Sequence, residues 1–305
     1  MTLSLDEVKQ VLMIGGGAMG HGIAQACITQ GYRTTIMSRS DKTLKWAASQ
    51  IQSGPFGLKR LVKKEKISQE QADEIMTLLS LTRDFTEAAK TADVVFESVP
   101  EDGDLKKEIF KALDPIVPEY SIIATNTSAI MITDLASAVS RPERFIGTHW
   151  FYPSHVMPLV EVARGALTSD ETLNFMMMFL KKLNKQPVPV NDGPGFAMTR
   201  FIDSFVSEAM RLVELGIVGI KEFDDMCKLG LGWPVGVFEM LDSAGPLDAW
   251  FHSLSYIHEV TGEPRYAPPV LGRKLLEAGY LCKPEVKPGS RGGWYDFFKV
   301  PKKDG

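Results

Sequence analysis

With 305 residues, 44% hydrophobic and 24% charged, the chain is long enough for two domains and a sizeable buried core. Its ordinary composition excludes collagen-like, disordered and low-complexity classes. A net charge of −4, from 34 basic and 38 acidic residues, offers no basic field for nucleic acid or an anionic membrane, so neither is an expected partner. No apolar run reaches the roughly 18–20 residues that span a bilayer. The opening Met1-Thr2-Leu3-Ser4-Leu5-Asp6-Glu7 has no export-signal pattern. Three widely spaced cysteines, Cys27, Cys227 and Cys282, argue against a disulfide framework or a zinc cluster, and a reducing cytoplasm is the expected location.

Residues 10–14 form a short apolar run that ends in glycines and predicts a first strand. Residues 18–30 have helical spacing, with Ile23, Ala26 and Cys27 on one side. Residues 34–37 predict a second strand, and 41–79 read as mostly helical. Within that stretch Ser68 followed by Gln71 is a capping-box signature opening the run 72–79. A buried-strand pattern at 93–98 precedes a helix from about 105 to 113. Three more short apolar runs follow at 121–125, 145–149 and 159–162. This alternation predicts an α/β fold with a Rossmann-type, doubly wound, largely parallel sheet.

The pattern changes at Pro187-Val188-Pro189-Val190-Asn191-Asp192-Gly193-Pro194-Gly195, whose prolines and glycines read as a domain junction. Beyond it only helices are predicted, at 201–214, 221–229, 248–260 and 271–278, the first with Phe201, Phe205, Ala209 and Leu212 at helical spacing. The expected organisation is a first domain over 1–190, with a helical insertion at about 45–80, and an all-helical C-terminal domain over 191–305.

Gly15-Gly16-Gly17-Ala18-Met19-Gly20 fits G-x-G-x-x-G. The hexapeptide gains meaning from the apolar strand before it and the apolar helix after it. Gly15 allows the tight turn, Gly17 lets backbone approach a pyrophosphate, and Gly20 lets helix pack on strand. Together with Ala18 and Met19 they predict a dinucleotide site at a helix N-terminus. An acidic residue at the end of the second strand would bind the ribose 2′-OH of NAD, but the chain reads Met37-Ser38-Arg39-Ser40 there, with no carboxylate before Asp41. Hydroxyls from Ser38 and Ser40 with the Arg39 guanidinium suit a 2′-phosphate, so NADP is favoured and NAD is the alternative, recruiting Asp41.

Three further segments carry the chemistry: Ala124-Thr125-Asn126-Thr127-Ser128, Gly147-Thr148-His149-Trp150-Phe151-Tyr152-Pro153, and Leu159-Val160-Glu161-Val162. With Asp192-Gly193-Pro194-Gly195-Phe196-Ala197-Met198-Thr199-Arg200 they resemble the 3-hydroxyacyl-CoA dehydrogenase family. The resemblance covers almost the whole chain. Val99-Pro100-Glu101-Asp102 and Leu105-Lys106-Lys107-Glu108-Ile109-Phe110 are also similar to the related gulonate and carnitine dehydrogenases. His149, twelve residues before Glu161, and Ser128, twenty-one before His149, keep the family's spacing.

The resemblance implies His149 as general acid–base, Glu161 as the carboxylate orienting it, and Ser128 as a hydrogen-bond partner of the substrate oxygen. That assignment is chemically sound, because an imidazole near neutrality takes and returns a hydroxyl proton and a carboxylate fixes its tautomer. It further implies that Glu101, Lys106, Asn126 and Ser128 lie along a bound nicotinamide cofactor. A homodimer pairing through the C-terminal domain, which would also help bind substrate, is implied as well.

Two positions depart from the family pattern. Tyr152 stands where an asparagine usually follows the histidine by three residues, and Thr199 where an asparagine usually precedes the arginine. Threonine keeps a hydroxyl but loses the amide's reach, and the resemblance implies Ser128, Tyr152 and Thr199 as the substrate-pocket set. The leading expectation is an NAD(P)-dependent dehydrogenase interconverting 3-hydroxyacyl-CoA and 3-oxoacyl-CoA thioesters, short chains included. A dehydrogenase of a free hydroxy acid or polyol acid is the alternative, and a non-catalytic nucleotide sensor fits poorly with the His149, Glu161 and Ser128 set.

Other features read as structural. His149 and His155 lack a third nearby ligand, so no metal is expected. Met176-Met177-Met178 is expected to be helix core, and Trp233, Trp250 and Trp294 to be packing residues. Lys59-Arg60-Leu61-Val62-Lys63-Lys64 reads as a solvated helix face that, under the resemblance, could meet CoA phosphates.

Overall fold

In a computed structural model of the chain, residues 3–244, 246–284, 287 and 289–300 are described. The chain divides into two units, Met1–Gly193 and Pro194–Gly305.

The first unit follows the alternation in its sequence. Its elements are β1 (Gln10–Ile14), α1 (Gly20–Thr29), β2 (Arg33–Met37), α2 (Asp41–Ser53), α3 (Leu58–Lys63), α4 (Gln69–Thr77) and β3 (Leu79–Thr82). They continue as α5 (Phe85–Ala89), β4 (Val94–Glu97), α6 (Gly103–Leu113), β5 (Ile122–Thr125), α7 (Ile132–Ala136), β6 (Phe145–Trp150), β7 (Leu159–Arg164), α8 (Asp170–Lys182) and β8 (Gln186–Asn191). Among the described residues the strands form one sheet in the order β3-β2-β1-β4-β5-β6-β7-β8. The first six are parallel to their neighbours, β7 runs antiparallel to β6, and β8 is parallel to β7. Strand order reverses between β1 and β4. That crevice, at the carboxyl ends of the strands, is where a doubly wound sheet binds its ligand.

Helix starts are fixed locally. Ser68 and Gln71 cap α4 reciprocally, at 3.2 and 2.9 Å, as the capping box predicts. Asp102 caps α6 by accepting from Leu105 N at 3.0 Å. The strands are apolar because both faces are covered: β4 and β5 are buried at every position. Phe96 of β4 packs edge-on to Trp150 of β6 and stacks with Phe179 of α8, with centroids 5.9 and 6.2 Å apart. Each such buried side chain contributes about 1.5–3 kcal/mol.

Two strands differ from the sequence reading. Leu79, expected to close a helical run, instead opens β3, whose residues 80–82 the spacing leaves unassigned, and the alternation Leu-Ser-Leu-Thr is a strand period. Residues 186–191, expected as a linker, form β8. Pro187 and Pro189 lack the N–H that a central strand needs, but β8 is an edge strand paired only with β7.

The second unit is helical: α9 (Met198–Glu214), α10 (Ile220–Leu231), α11 (Val237–Ala244), α12 (Leu247–Thr261), α13 (Val270–Glu277) and α14 (Trp294–Phe297). The helices α11 and α14 were not expected from spacing. The core gathers Val206 and Met210 of α9, Cys227 of α10, Phe238 of α11, Phe251 of α12, Leu275 of α13 and Trp294 of α14. Two core expectations need correction. Phe201 of α9 is 61% exposed, and of the methionine run on α8 Met176 is fully buried while Met178 is 50% exposed. In each case the neighbours along one helix face different ways, since successive residues turn by about 100°. All three cysteines are buried and unbridged.

Candidate active site

The glycine turn between β1 and α1 has the geometry its residue types predict. Gly15 has φ +101, and a Cβ there would overlap the carbonyl of Ser98. A Cβ on Gly20 would overlap the carbonyl of Gly15, so helix and strand touch backbone to backbone at this point. Gly17 is different, because a Cβ there would meet nothing within 4 Å. The missing side chain therefore leaves open room beside the first turn of α1. An open backbone surface at a helix N-terminus suits a pyrophosphate, so these residues fit a dinucleotide.

At the end of β2, Ser38 N donates to Thr82 O at 3.2 Å, while Arg39 and Ser40 are exposed. Ser40 caps α2 by accepting from Thr43 N at 3.4 Å. Asp41, the candidate ribose carboxylate, lies in the first turn of α2 and pairs with Arg83 at 3.3 Å.

A buried charge cluster lies across β4, α6 and the segment after β5. Lys106 of α6 and Glu97 of β4 are both 0% exposed, with Nζ 2.7 Å from Glu97 Oε1. The same Nζ is 3.4 Å from Glu101 Oε2. Glu97 also accepts from Val99 N at 2.6 Å and Thr125 Oγ1 at 2.6 Å. Glu101 Oε1 accepts from Thr127 Oγ1 at 2.5 Å, Ser128 N at 2.7 Å and Ala129 N at 3.0 Å. Burial pushes the Glu101 carboxyl up, but the Lys106 ammonium and these hydrogen bonds outweigh it and hold it below the usual range. Burial likewise opposes the Lys106 charge, and the two carboxylates raise its pKa above the ordinary value. Both groups stay ionised, and the loop carrying Ser128 is pinned through its backbone.

Glu97 carries no motif of its own in the sequence. The available signal was a carboxylate inside the apolar run Val94-Val95-Phe96, nine residues before Lys106. A carboxylate buried in a central strand requires a counter-ion.

His149 and Glu161 are cross-strand partners in the antiparallel β6–β7 pair. His149 Nδ1 lies 2.8 Å from Glu161 Oε2, with both side chains buried. Asn126, just beyond β5, reaches the same strand: its Oδ1 accepts from Trp150 N at 2.9 Å, and its Nδ2 donates to Ser98 Oγ at 3.2 Å. The strand ends of β4, β5 and β6 thus bring Glu101, Asn126, Ser128 and His149 onto neighbouring segments at the carboxyl edge of the sheet. Tyr152 follows β6 and is exposed. Thr199 belongs to the second unit, in the first turn of α9, where its neighbour Arg200 pairs with Glu263 at 2.8 Å. Among the described residues no three His, Cys, Asp or Glu side chains group as metal ligands, and no helix is long and apolar enough to cross a membrane.

Residues 10–193 match the family described as 3-hydroxyacyl-CoA dehydrogenase, NAD binding domain, and residues 195–291 match its C-terminal domain. The chain is 36% identical over 292 residues to the mouse mitochondrial hydroxyacyl-coenzyme A dehydrogenase, covering 90% of this chain and 92% of that one. It is 32% identical over 290 residues to the 3-hydroxybutyryl-CoA dehydrogenase of Clostridioides difficile, covering 95% and 100%. The crystal structure of (S)-3-hydroxybutyryl-CoA dehydrogenase from Ralstonia eutropha superposes with a TM-score of 0.85 at 34% identity, covering 94% of this chain and 100% of that one. The chain belongs to the 3-hydroxyacyl-CoA dehydrogenase family and is a nicotinamide-dependent oxidoreductase.

Proposed function

We propose that the protein interconverts short-chain 3-hydroxyacyl-CoA and 3-oxoacyl-CoA thioesters, with His149 as general acid–base. The observation that carries this reading is the buried His149–Glu161 pair at 2.8 Å, on a strand whose next residue, Trp150, donates its N–H to Asn126. Glu161 accepts the Nδ1 proton, which fixes the tautomer and places proton exchange on Nε2. In oxidation His149 takes the hydroxyl proton of the substrate, and Glu161 stabilises the resulting imidazolium. In reduction the proton returns from the same nitrogen. Ser128 hydrogen-bonds the substrate oxygen, on a backbone that Glu101 holds in place. A nicotinamide held by the glycine turn would supply the hydride acceptor or donor for this chemistry.

Gly15, Gly17, Ala18, Met19 and Gly20 hold the pyrophosphate. Glu101 and Asn126 border the nicotinamide end, and Lys106 acts from behind Glu101. Ser38, Arg39 and Ser40 favour NADP, because no carboxylate stands at that strand end to repel a 2′-phosphate and Asp41 is engaged by Arg83. Lys59, Arg60, Lys63 and Lys64, exposed on and beside α3, are the cations available to CoA phosphates. Tyr152 of the first unit and Thr199 of the second are each assigned to substrate discrimination. Leu215, Ile217, Met226, Leu229 and Leu231, exposed in the second unit, provide an apolar face for a homodimer.

The test is a substrate panel. NADH and NADPH are each offered with acetoacetyl-CoA and with free 3-oxo acids, and oxidation of the nicotinamide is followed by absorbance. Turnover confined to the thioester with NADPH preferred is the expected result. Turnover confined to the free acids would replace this reading with the hydroxy-acid alternative. Replacing Tyr152 and Thr199 together by asparagine is expected to raise activity on acetoacetyl-CoA, and an unchanged rate would remove them from the specificity set.

A further inference from the structure

The segment between β6 and β7 carries groups that the chemistry above does not use. Ser154 is almost completely buried, and its Oγ donates to the carbonyl of Met19 at 2.8 Å, in the glycine turn 135 residues earlier. Lys185, between α8 and β8, is also buried, and its Nζ donates to Ser154 O at 2.7 Å and Met157 O at 2.9 Å. That ammonium lies 5.4 Å from the ring centroid of Trp150, the residue next to His149. Gly22 of α1 completes the contact. A Cβ there would overlap Ser154 Oγ and come within 2.8 Å of His155 Nδ1, so the segment sits directly on the helix backbone.

We infer that Lys185, Ser154 and Gly22 form a latch that fixes the pyrophosphate turn relative to the catalytic histidine. Met19 enters the helix whose N-terminus faces the phosphates. Trp150 continues the strand that carries His149. The two are far apart in sequence, and in the sheet β1 and β6 are joined only through β4 and β5, so the Ser154 bond is a direct link that strand pairing does not supply. The latch joins them through one hydroxyl and one ammonium, both shielded from water. A buried hydrogen bond to a charged donor is stronger than a neutral one and expensive to leave unmade, which suits a contact that must hold one geometry. These are positioning residues: they act through the glycine turn and β6.

The inference rests on the catalytic reading of His149, and its signature is a split between rate and binding. Nucleotide affinity comes from the glycine turn, which each variant keeps. The rate depends on alignment, and a displacement of about 1 Å can cost roughly a hundredfold. Ser154→Ala is therefore expected to lower kcat with acetoacetyl-CoA by about 10-fold or more, while the Kd values for NADH and NADPH, from fluorescence titration, stay within about threefold. Gly22→Ala reaches the same contact from the helix side and should give the same split. Lys185→Met should lower kcat further, with Lys185→Arg recovering part of it. If Lys185→Met does not fold, Ser154→Ala and Gly22→Ala still decide.

A fall in melting temperature with kcat unchanged would overturn the latch and leave a purely structural contact. Weakened nucleotide binding with kcat unchanged would overturn it too. His149→Gln, measured alongside, separates the two levels. An inactive His149→Gln beside a fully active Ser154→Ala removes the latch alone, whereas an active His149→Gln removes the catalytic reading and the latch with it.

Discussion

In the first unit the buried Glu97 and Lys106 and the partly buried Glu101 come as opposite signs in contact, and the Glu101 carboxyl stays below its ordinary pKa. In the second unit Asp203, Asp224 and Asp242 are buried beside amides and hydroxyls. Asp224 accepts from Phe238 N and Glu239 N, both at 2.9 Å, at the start of α11. Asp242 accepts from Trp294 N at 2.6 Å and Tyr295 N at 3.2 Å, at the start of α14. Asp203 of α9 meets Ser253 Oγ of α12 at 3.4 Å. Burial raises the pKa of all three, and Asp203 reaches about 7. A carboxylate that caps a helix or bridges two helices can tolerate this, because its structural work is done by oxygen lone pairs. The cluster beside Ser128 is arranged to keep its charges, because each carboxylate has the Lys106 ammonium beside it.

The comparison is broken most forcefully at the proposed catalytic pair, His149 and Glu161. His149→Gln is expected to lower kcat by roughly 10²–10⁴-fold with nucleotide binding intact, and Glu161→Gln should be severely slowed through loss of orientation. Retention of more than about a tenth of the rate in His149→Gln would show that the site does not use this imidazole as its acid–base.

Next in size is Lys106→Met. It leaves Glu97 and Glu101 without their cation and should cost about 3–5 kcal/mol in denaturant unfolding. A loss below about 1 kcal/mol would mean that Lys106 is not the counter-ion of charged carboxylates in the fold.

The exposed charge of the first unit gives a smaller effect. Arg39→Ala with Ser38→Asp should weaken NADPH binding by about tenfold to a hundredfold and spare or improve NADH, since a charge-assisted contact is worth about 1.5–3 kcal/mol. Titration of the two reduced nucleotides measures it, and a parent protein that prefers NADH would end the NADP assignment.

The smallest effect belongs to Asp203, whose sign runs the other way. Its folded pKa, near 7, lies above the unfolded value near 3.8, so the native state binds the proton more tightly. Its contribution to stability is full below about pH 4 and declines as pH rises toward 7. Asp203→Asn should therefore raise the melting temperature by a few degrees at pH 8, with the gain shrinking as pH falls toward 4. A pH-independent difference would show that Asp203 is already ionised in the fold.

Much of this protein was legible in local pattern. The glycine turn, the capping box of Ser68 and Gln71, and the alternation of strand and helix report steric and hydrogen-bonding needs met within a few residues. His149 and Glu161 were legible as a pair through the family resemblance, and the structure shows that the eleven residues between them carry the chain from β6 into the antiparallel β7. Other features depend on partners that no short window contains. Gln186–Asn191 is a strand only because the sheet has an edge there that tolerates prolines. Glu97 is acceptable in an apolar strand only because α6 delivers Lys106 to it. The Ser154 hydroxyl finds its acceptor 135 residues away. The sequence by itself determined which residues could do chemistry and which local shapes they take. The tertiary structure decided which buried charges meet a counter-ion and which faces of a helix are covered, because desolvation depends on everything packed around a group rather than on its neighbours in the chain.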